Sequence, residues 1–345
     1  MKALALTRLR KVEGLEMPDP PAPRGREVLL KMERVGVCGS DIHYFEDGCI
    51  GPRAVQFPFI LGHECAATVL QAGPEAGRIQ AGDRVAVDPA ISCHQCDQCR
   101  AGRENTCRRL SFLGCPGEAP GCLSEFLVMP EACLYPIPPA MTLDQAVLCE
   151  PLSIALYAVR QAGISPASTV GILGAGPIGL SVLLCARHRG ARRLFVTDLI
   201  EHRTGLAAQA GAAWVGIPGR EEVAPDILAR EPEGLDVVFE CAGQPEAMEQ
   251  AIDLLKPGGR LMLIGIPRSD RISLPIDLLR RKEITLVNVR RQNRCVQEVV
   301  DLLAAGKIQA DFLVTHHFGC AQAQAAFELV SGYADGVVKA MITFP

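Results

Sequence analysis

Aromatic residues are scarce in this chain, and several signatures of other protein classes are missing. Phe, Trp and Tyr make up 5% of the residues, so we expect a core of Ala, Val, Ile and Leu. A net charge of -4 indicates neither a nucleic acid nor an anionic membrane as a partner. No window holds about eighteen apolar residues without a charge or a helix breaker, and the first apolar run is too short for a signal peptide. These absences favour a soluble globular protein of the cytosol.

Cysteine, by contrast, is abundant, with fifteen residues in a chain of 345. A secreted disulfide scaffold would be short and dense in cysteine, and this chain is neither. Most of the cysteines stand alone in apolar segments, as Cys65, Cys185 and Cys241 do, where a thiol acts as a small hydrophobe. We therefore expect free thiols in a reducing compartment, and two domains of ordinary size in a chain of this length.

Three side chains of the types that hold zinc follow two apolar runs in the first part of the chain. Cys38 comes directly after the run 28–37, and His63 and Glu64 follow the run 57–61. If the two loops meet at one metal, a thiolate and a carboxylate cancel the charge of Zn²⁺. One position then stays open for water or substrate. The alternative is that Cys38 and His63 are ordinary core residues and that Glu64 is exposed.

Four further cysteines form a compact pattern in a polar segment. Cys93, Cys96 and Cys99 recur at every third position, and Cys107 follows eight residues later. Chance would place three more cysteines at set offsets from one in roughly one such chain in a thousand. The four thiolates predict a closed tetrahedral metal site, with zinc favoured over an iron–sulfur cluster. Because such a site has no open position, it would stabilise the fold and take no part in catalysis.

The middle of the chain has the strand, glycine loop, helix, strand and acid order of a dinucleotide-binding unit. Gly174, Gly176 and Gly179 follow an apolar run, and Asp198 ends the next one. The glycines let the backbone approach a pyrophosphate at the amino end of a helix. Asp198 can accept hydrogen bonds from the ribose hydroxyls and would repel a 2′-phosphate, so NAD is preferred over NADP. Arg203 leaves two possibilities open, since it could pair with a phosphate or stack on the adenine.

Strands and helices alternate after the glycine loop, which predicts a doubly wound parallel sheet. Before about residue 150 the chain is rich in Gly and Pro with short apolar runs, which is typical of an irregular, mostly β domain. The predicted strands are 169–173, 193–197, 213–215, 235–240, 260–264 and 284–289, and the predicted helices are 178–188, 203–210, 221–229 and 246–255. A helix at 295–304, a strand at 312–315, a helix at 321–329 and a strand at 337–343 could then return to the first domain.

Together these motifs resemble the medium-chain zinc-dependent dehydrogenases, and within them the polyol branch typified by sorbitol dehydrogenase. The resemblance covers nearly the whole chain. Its motifs are Cys38 to Tyr44, Gly62-His63-Glu64, the four cysteines, Glu150 to Ser153, the loop Gly174 to Gly179 with Asp198 and Arg203, and Asn288 to Arg290. The fold it implies is α/β. A GroES-like, mostly β catalytic domain of residues 1–150 and 291–345 would join a Rossmann NAD-binding domain of residues 151–290, with the active cleft between them.

The resemblance also implies an activity, the oxidation of a secondary alcohol of a polyol or related sugar to a ketone. One catalytic zinc, one structural zinc and NAD are expected per chain, with zinc lowering the pKa of the substrate hydroxyl before hydride transfer. Cys38, His63 and Glu64 would hold the catalytic zinc. Glu150 would be either the direct ligand in place of Glu64 or a group that acts through water or on substrate. Two direct carboxylates with a thiolate would make the ligand shell net negative. The plainer alternative for Glu150 is an ordinary glutamate at a helix start.

Further roles are implied position by position. Ser40 and His43 would carry the proton away, although a histidine in an exposed loop is the common alternative for His43. Substrate contacts are expected from Tyr44, Phe112, Glu150, Arg290 and Arg291. NAD contacts are expected from Gly174, Gly176, Ile178, Gly179, Asp198, Arg203, Ile264, Gly265, Ile266, Asn288, Val289 and Arg290.

Arg291 departs from the family pattern, which usually has a tyrosine after the pocket arginine. With Arg290 and Arg294 it could meet a sugar acid or a sugar phosphate, or it could pair with a surface carboxylate. Butanediol, threonine and cyclitol dehydrogenases are further alternatives within the family. A catalytically silent NAD-binding protein is the alternative from another class, and the intact metal-ligand set argues against it. We expect a small-molecule substrate and a homo-oligomer, a tetramer or else a dimer.

Overall fold

The computed structural model describes all residues from 1 to 345, which form two compact units. The first unit combines Met1–Glu150 with Val296–Pro345, and the second unit is Pro151–Cys295. The second boundary therefore falls after residue 295, whereas the sequence pattern predicts it after residue 290. None of the helices is both long enough and apolar enough to cross a lipid bilayer.

Short strands and turns make up most of the first unit. Its strands are β1 (Lys2–Arg8), β2 (Lys11–Glu16), β3 (Glu27–Gly36), β4 (Cys49–Ile50), β5 (Arg53–Ala54), β6 (Phe59–Ile60), β7 (Glu64–Ala72), β8 (Arg84–Val87), β9 (Ala90–Ile91), β10 (Ser111–Phe112), β11 (Phe126–Pro130), β12 (Leu134–Pro136), β19 (Val314–Gly319) and β20 (Lys339–Thr343). Its helices are α1 (Gly39–Asp47), α2 (Asp97–Arg100), α9 (Val296–Ala304) and α10 (Ala323–Ser331), with 3₁₀ turns at Glu104–Thr106, Glu131–Cys133, Asp311–Leu313 and Cys320–Gln322. A longer helix, α3 (Leu143–Ala162), begins in the first unit and ends in the second.

The core of the first unit is built on a seven-stranded sheet. Six of its strands run in the order β12-β8-β7-β3-β20-β19, and β11 also pairs with β3. Alternate residues of β3 are buried, among them Val28, Leu30 and Met32, which is the pattern of a strand with one face on the core. β20 pairs antiparallel to β3 with Met341 opposite Gly36. The last strand of the chain therefore completes the sheet where β3 leads into α1.

Six parallel strands form the sheet of the second unit. They are β13 (Thr169–Leu173), β14 (Arg193–Thr197), β15 (Trp214–Gly216), β16 (Leu235–Glu240), β17 (Leu255–Leu263) and β18 (Thr285–Asn288). The helices are α4 (Pro177–His188), α5 (Glu201–Gln209), α6 (Val223–Arg230), α7 (Pro245–Leu254) and α8 (Ile276–Arg281). The strand order β15-β14-β13-β16-β17-β18 is that of the doubly wound dinucleotide-binding fold. The predicted parallel sheet is confirmed.

Most element boundaries differ from the prediction by one or two residues, and three larger differences have a structural reason. β17 begins at Leu255, five residues before the predicted start at 260, because Leu255 already pairs with β16 and a register shift takes up residues 256–259 before pairing resumes at Arg260. The segment predicted as a strand at 312–315 begins as a 3₁₀ turn, and β19 extends further because it is hydrogen-bonded to β20. Glu150 and Pro151 lie inside α3 and not at a helix start.

Candidate active site and metal centres

The end of β3 and the start of β7 bring three side chains of metal-ligand type together. Gly36 and Glu64 are paired across these strands, so Cys38, just beyond β3, reaches the same point as His63 and Glu64. One ligand atom from each of Cys38, His63 and Glu64 lies within 4.8 Å of the others. His63 and Glu64 are buried, whereas Cys38 is half-buried, so the cluster is accessible from the side of the thiol. The alternative that Glu64 is exposed is wrong.

Asp41, which sequence reasoning did not single out, orients this cluster. Its Oδ2 accepts a hydrogen bond from the backbone N–H of Cys38 at 3.0 Å, and its Oδ1 accepts one from Gly62 at 3.2 Å. The same Oδ1 lies 3.5 Å from Nδ1 of His63. Burial alone would lower the pKa of His63, but Asp41 and Cys38 outweigh it and raise that pKa well above its usual value. A carboxylate behind a histidine fixes the ring and leaves its other nitrogen available to a metal.

Glu150 is buried in the middle of α3, and its charge interacts with those of the cluster. The residue is 6% exposed, and its Oε2 has no hydrogen-bond partner. Burial, opposed by His63 and reinforced by Glu64, raises the pKa of Glu150 to about 7. The interpretation of Glu150 as a helix-start residue is wrong. The helix continues through Pro151 because the packing of Leu148 and Leu152, both fully buried, holds it in place.

The residues predicted to carry protons follow Cys38 along α1. The hydroxyl of Ser40 donates a hydrogen bond of 3.4 Å to Sγ of Cys38. His43 lies within the helix and not in an exposed loop, with Nδ1 at 3.8 Å from Oδ2 of Asp47. Both side chains are half-buried, so they stand between the buried cluster and solvent.

Two predicted substrate residues of the first unit are aromatic and buried. The ring of Phe112 packs against that of His63, with ring centroids 5.3 Å apart. The hydroxyl of Tyr44 lies 3.9 Å from Sγ of Cys115, which also accepts a hydrogen bond of 3.4 Å from Arg53. Cys115 and Arg53 carried no recognisable motif and were missed from the sequence.

Lys339 is another residue that sequence reasoning did not single out. It lies on β20, is 1% exposed, and donates from Nζ to both carboxylate oxygens of Glu64, at 2.7 and 2.6 Å. A single charge inside the apolar run 337–342 was the available signal. Its partner is 275 residues away in the chain, so no local pattern identifies the pair.

The four clustered cysteines converge on one point around α2. They are Cys93, Cys96, Cys99 and Cys107, and together they form the cysteine quartet. Sγ of Cys96 lies 3.6 Å from that of Cys99 and 3.9 Å from that of Cys107, and the Sγ atoms of Cys93 and Cys99 are 4.0 Å apart. Bonds of about 2.3 Å to a tetrahedral zinc separate two sulfurs by about 3.8 Å. A backbone N–H group of Gln95 and other donors lower the pKa of Cys93 to about 5, whereas burial and the neighbouring thiols raise that of Cys99 to about 12. Four thiolates at this spacing need a cation, and zinc fits.

The glycine loop of the second unit has the geometry of a phosphate cradle. A Cβ at Gly179 would collide with the carbonyl oxygen of Gly174, so only glycine fits where α4 starts against the loop. Oδ2 of Asp198 accepts a hydrogen bond of 2.7 Å from the backbone N–H of Ala175. The guanidinium of Arg203 lies beside Gly176, and the side chain is buried. Asp198 and Arg203 therefore border the loop that the sequence predicts to hold a dinucleotide.

The other segments predicted to contact the cofactor lie at the carboxyl ends of neighbouring strands. Ile264, Gly265 and Ile266 follow β17, while Asn288 ends β18 and is followed by Val289, Arg290 and Arg291. The backbone N–H of Val289 donates to the carbonyl of Leu263 at 2.9 Å, which joins the two segments. Ligands of doubly wound sheets bind at this edge.

Glu240, at the end of β16, was missed from the sequence. It is fully buried, and its Oε1 accepts hydrogen bonds from the backbone N–H groups of Ala242 and Gly243, at 2.8 and 2.7 Å. Burial raises its pKa. Since Gly174 packs on Cys241 and Ala242, Glu240 fixes a turn that supports the glycine loop.

Two family models match this chain. Residues 24–139 match the alcohol dehydrogenase GroES-like domain, and residues 177–305 match the zinc-binding dehydrogenase domain. Both groups of predicted metal ligands, with the exception of Glu150, fall in the first matched segment.

Two relatives align with this chain over most of their own length. Sorbitol dehydrogenase of Bacillus subtilis is 34% identical over 99% of this chain and 97% of its own. L-idonate 5-dehydrogenase of Vitis vinifera is 33% identical over 91% of this chain and 87% of its own.

Solved structures share the fold. A structure described as a zinc-binding dehydrogenase of Sinorhizobium meliloti 1021 bound to NADP has a TM-score of 0.88 at 30% identity, covering 99% of this chain and 98% of its own. A structure described as a short-chain alcohol dehydrogenase of Escherichia coli CFT073, complexed with NADH, has a TM-score of 0.91 at 27% identity, covering 100% and 99%.

We expect Cys107→Ala to lower the zinc content from about two to about one per chain, because three thiolates leave a tetrahedral site incomplete. Metal analysis by mass spectrometry after gel filtration measures the change. Cys133→Ala removes another buried thiol of the first unit, outside the quartet, and should keep both metals. A Cys107→Ala protein that still holds two zincs would contradict the assignment of the quartet as a metal site.

Proposed function

The chain belongs to the zinc-dependent medium-chain dehydrogenases, and on that premise we propose that it oxidises a secondary alcohol of a polyol to a ketone with NAD. The observation that carries the proposal is the convergence of Cys38, His63 and Glu64, with one half-buried side. A half-buried thiolate with a buried imidazole and a buried carboxylate fits a zinc that keeps an open position for substrate. The quartet, which offers no such position, is assigned to the structural zinc.

Zinc bound by Cys38, His63 and Glu64 would supply Lewis acidity toward a hydroxyl group, and NAD would accept the hydride. The side chains of this chain then orient the substrate and remove its proton. We assign proton transfer to Ser40, which contacts Cys38, and to His43 on the solvent side of the same helix. The raised pKa of Glu150, about 7, suits a group that exchanges a proton with substrate or water near neutral pH.

We assign the dinucleotide to the carboxyl edge of the parallel sheet, with the pyrophosphate at the amino end of α4. Asp198 supports NAD, because a carboxylate beside the loop attracts ribose hydroxyls and repels a 2′-phosphate. Arg203 is buried beside Gly176, where its guanidinium can stack on the adenine. The remaining contacts are assigned to Gly174, Ile178, Gly179, Ile264, Gly265, Ile266, Asn288, Val289 and Arg290.

A neutral polyol is the substrate class that the relatives support best, since the one from Bacillus subtilis is named a sorbitol dehydrogenase. The aromatic rings of Tyr44 and Phe112 supply an apolar surface, and Tyr44 adds one hydroxyl group. Arg290 supplies hydrogen-bond donors for sugar hydroxyls. Glu150 is an acceptor for the same hydroxyl groups.

We expect NADH formation from sorbitol, xylitol or galactitol at alkaline pH, and at least about a hundredfold less from Cys38→Ala, because loss of a ligand removes the catalytic metal. Absorbance at the NADH band across a panel of polyols, butanediol and threonine, with NAD and with NADP, gives the measurement. Cys65→Ala, a buried thiol on the neighbouring strand, is the matched control and should retain activity. Turnover by Cys38→Ala at the parent rate would contradict the site, and preference for NADP would contradict the role of Asp198.

A sugar acid is the second candidate substrate. Arg291 follows Arg290 with its backbone in the left-handed region, at a φ of 54°, so the chain bends directly after Arg290. If both guanidinium groups reach the substrate, they suit a carboxylate or phosphate. The grape relative, named an L-idonate 5-dehydrogenase, supports this candidate.

We expect Arg291→Tyr to separate the two candidates. If a carboxylate or phosphate is recognised, kcat/KM for the sugar acid or sugar phosphate falls about tenfold or more and that for the neutral polyol rises, because one charged donor is lost. Arg271→Tyr, an exposed arginine of the same unit, is the control for general effects. Equal values before and after the Arg291 substitution would rule out the sugar-acid candidate.

We propose a cytosolic location and a homo-oligomer. All fifteen cysteines are free thiols, which suits a reducing compartment, and disulfides in the protein isolated from its native cells would contradict this. β18 is an edge strand of the parallel sheet, and its Leu286 is 37% exposed. An exposed edge of this kind is suited to pairing with a second copy across a two-fold axis. A tetramer, or else a dimer, is the proposed state.

We expect Leu286→Lys to shift the protein toward the monomer, because a charge at the edge disfavours strand pairing between copies. Light scattering coupled to gel filtration measures the mass. Leu199→Lys, at another exposed leucine of the same unit, should leave the mass unchanged. A monomeric parent protein would contradict the proposed oligomer.

A further inference from the structure

Lys339 is buried at the candidate catalytic site although it is neither a metal ligand nor a recognised motif residue. It is 1% exposed, and Nζ makes three contacts, with the two carboxylate oxygens of Glu64 at 2.7 and 2.6 Å and with the carbonyl of Val37 at 3.2 Å. All the donor capacity of an ammonium is therefore used within the protein. A lysine is almost never fully buried unless it is paired, so its partner defines its role.

The negative charge at this site exceeds what one zinc can neutralise. Cys38, Glu64, Glu150 and Asp41 bring four groups that carry a negative charge when ionised, against two positive charges on zinc. With all four groups ionised and zinc bound, the site would carry a net charge of about minus two without Lys339 and about minus one with it. Charges buried together without compensation are costly, and excess negative charge weakens a metal as a Lewis acid.

The carboxylate of Glu64 is also confined. A Cβ at Gly36 would collide with Oε2 of Glu64, so the backbone of β3 lies directly against the carboxylate on one side. Lys339 holds both oxygens from β20, the next strand. Each carboxylate oxygen has two lone pairs, so an oxygen that accepts from Lys339 can also bind a metal.

We propose that Lys339 is a positioning residue of the catalytic metal centre, which holds both carboxylate oxygens of Glu64 and so fixes Glu64 as a metal ligand. The inference rests on the proposed function only in placing a zinc at Cys38, His63 and Glu64. It resolves the conflict between two carboxylates and a thiolate at one metal, because one of the three negative charges is neutralised by a lysine and not by zinc.

The test compares Lys339→Met, which keeps the length of the side chain and removes its charge, with Lys339→Arg. Both proteins are loaded with zinc or cobalt, and the rate of metal transfer to a chelator and the visible spectrum of the cobalt form are recorded. The catalytic metal is the one that Cys38→Ala lacks, and the metal of the cysteine quartet is an internal reference in the same molecule.

In Lys339→Met the catalytic metal should leave at least about tenfold faster, because Glu64 is no longer held in place as a ligand. The cobalt spectrum should change, because Glu64 is free to reorient. The rate at which the cysteine quartet loses its metal should stay constant. Lys339→Arg should remain closer to the parent protein in both readouts. Lys282→Met, which removes a lysine bonded to three backbone carbonyls in the second unit, should leave both metals unaffected. If Lys339→Met releases the catalytic metal at the parent rate and has the parent cobalt spectrum, the proposal is overturned.

A crystal structure of the zinc-loaded parent protein tests the same inference without any variant, in case Lys339→Met does not fold. Glu64 should bind zinc through one oxygen at about 2.0–2.2 Å while it still accepts from Lys339. Glu64 turned away from either Lys339 or the zinc would overturn the proposal. Neither readout depends on turnover, so failure to oxidise any polyol would contradict the proposed function and leave this inference standing.

Discussion

Buried negative charge is the constraint on which the candidate active site depends. Cys38, Asp41, Glu64 and Glu150 surround the place where β3, β7 and β20 lie side by side, and three of these groups are at most 6% exposed. Such groups remain charged in a protein interior only when cations or hydrogen-bond donors compensate them. The adjacent histidine, Lys339 and two backbone N–H groups provide part of that compensation. The remainder is the physical reason for a divalent metal at this point.

The first unit brings side chains of metal-ligand type together at two places, and the two places serve different purposes. At the quartet, four thiols converge around a short helix and would enclose a cation completely, so the site would contribute only stability. At the other cluster the ligands come from the end of one strand and the start of another, and the half-buried Cys38 leaves one side accessible. The difference between a structural and a chemical site thus follows from the number of ligands that converge, which is four at the quartet and three at the other cluster.

Most strands and helices of the second unit could be predicted from local sequence patterns. Consecutive strands of β-branched and apolar residues, a glycine loop and an acid at the end of β14 gave the parallel sheet and the positions of most of its helices to within a few residues. β17 was an exception, since it begins at Leu255 and resumes its pairing with β16 only at Arg260. A register shift takes up Pro257-Gly258-Gly259, which local propensity disfavours in a strand.

The ligand types, their spacing and the glycine loop could be recognised from the sequence, because a close set of cysteines and a strand–loop–helix are local features. The sequence did not identify the groups that orient the ligands and compensate their charge. Asp41 was visible as a residue but not as the partner of His63, and Glu150 was open to interpretation as a helix-start residue. Lys339 reaches Glu64 only because β20 pairs with β3 at the far end of the chain. Burial and charge compensation depend on which strands become neighbours, and only the tertiary structure decides that.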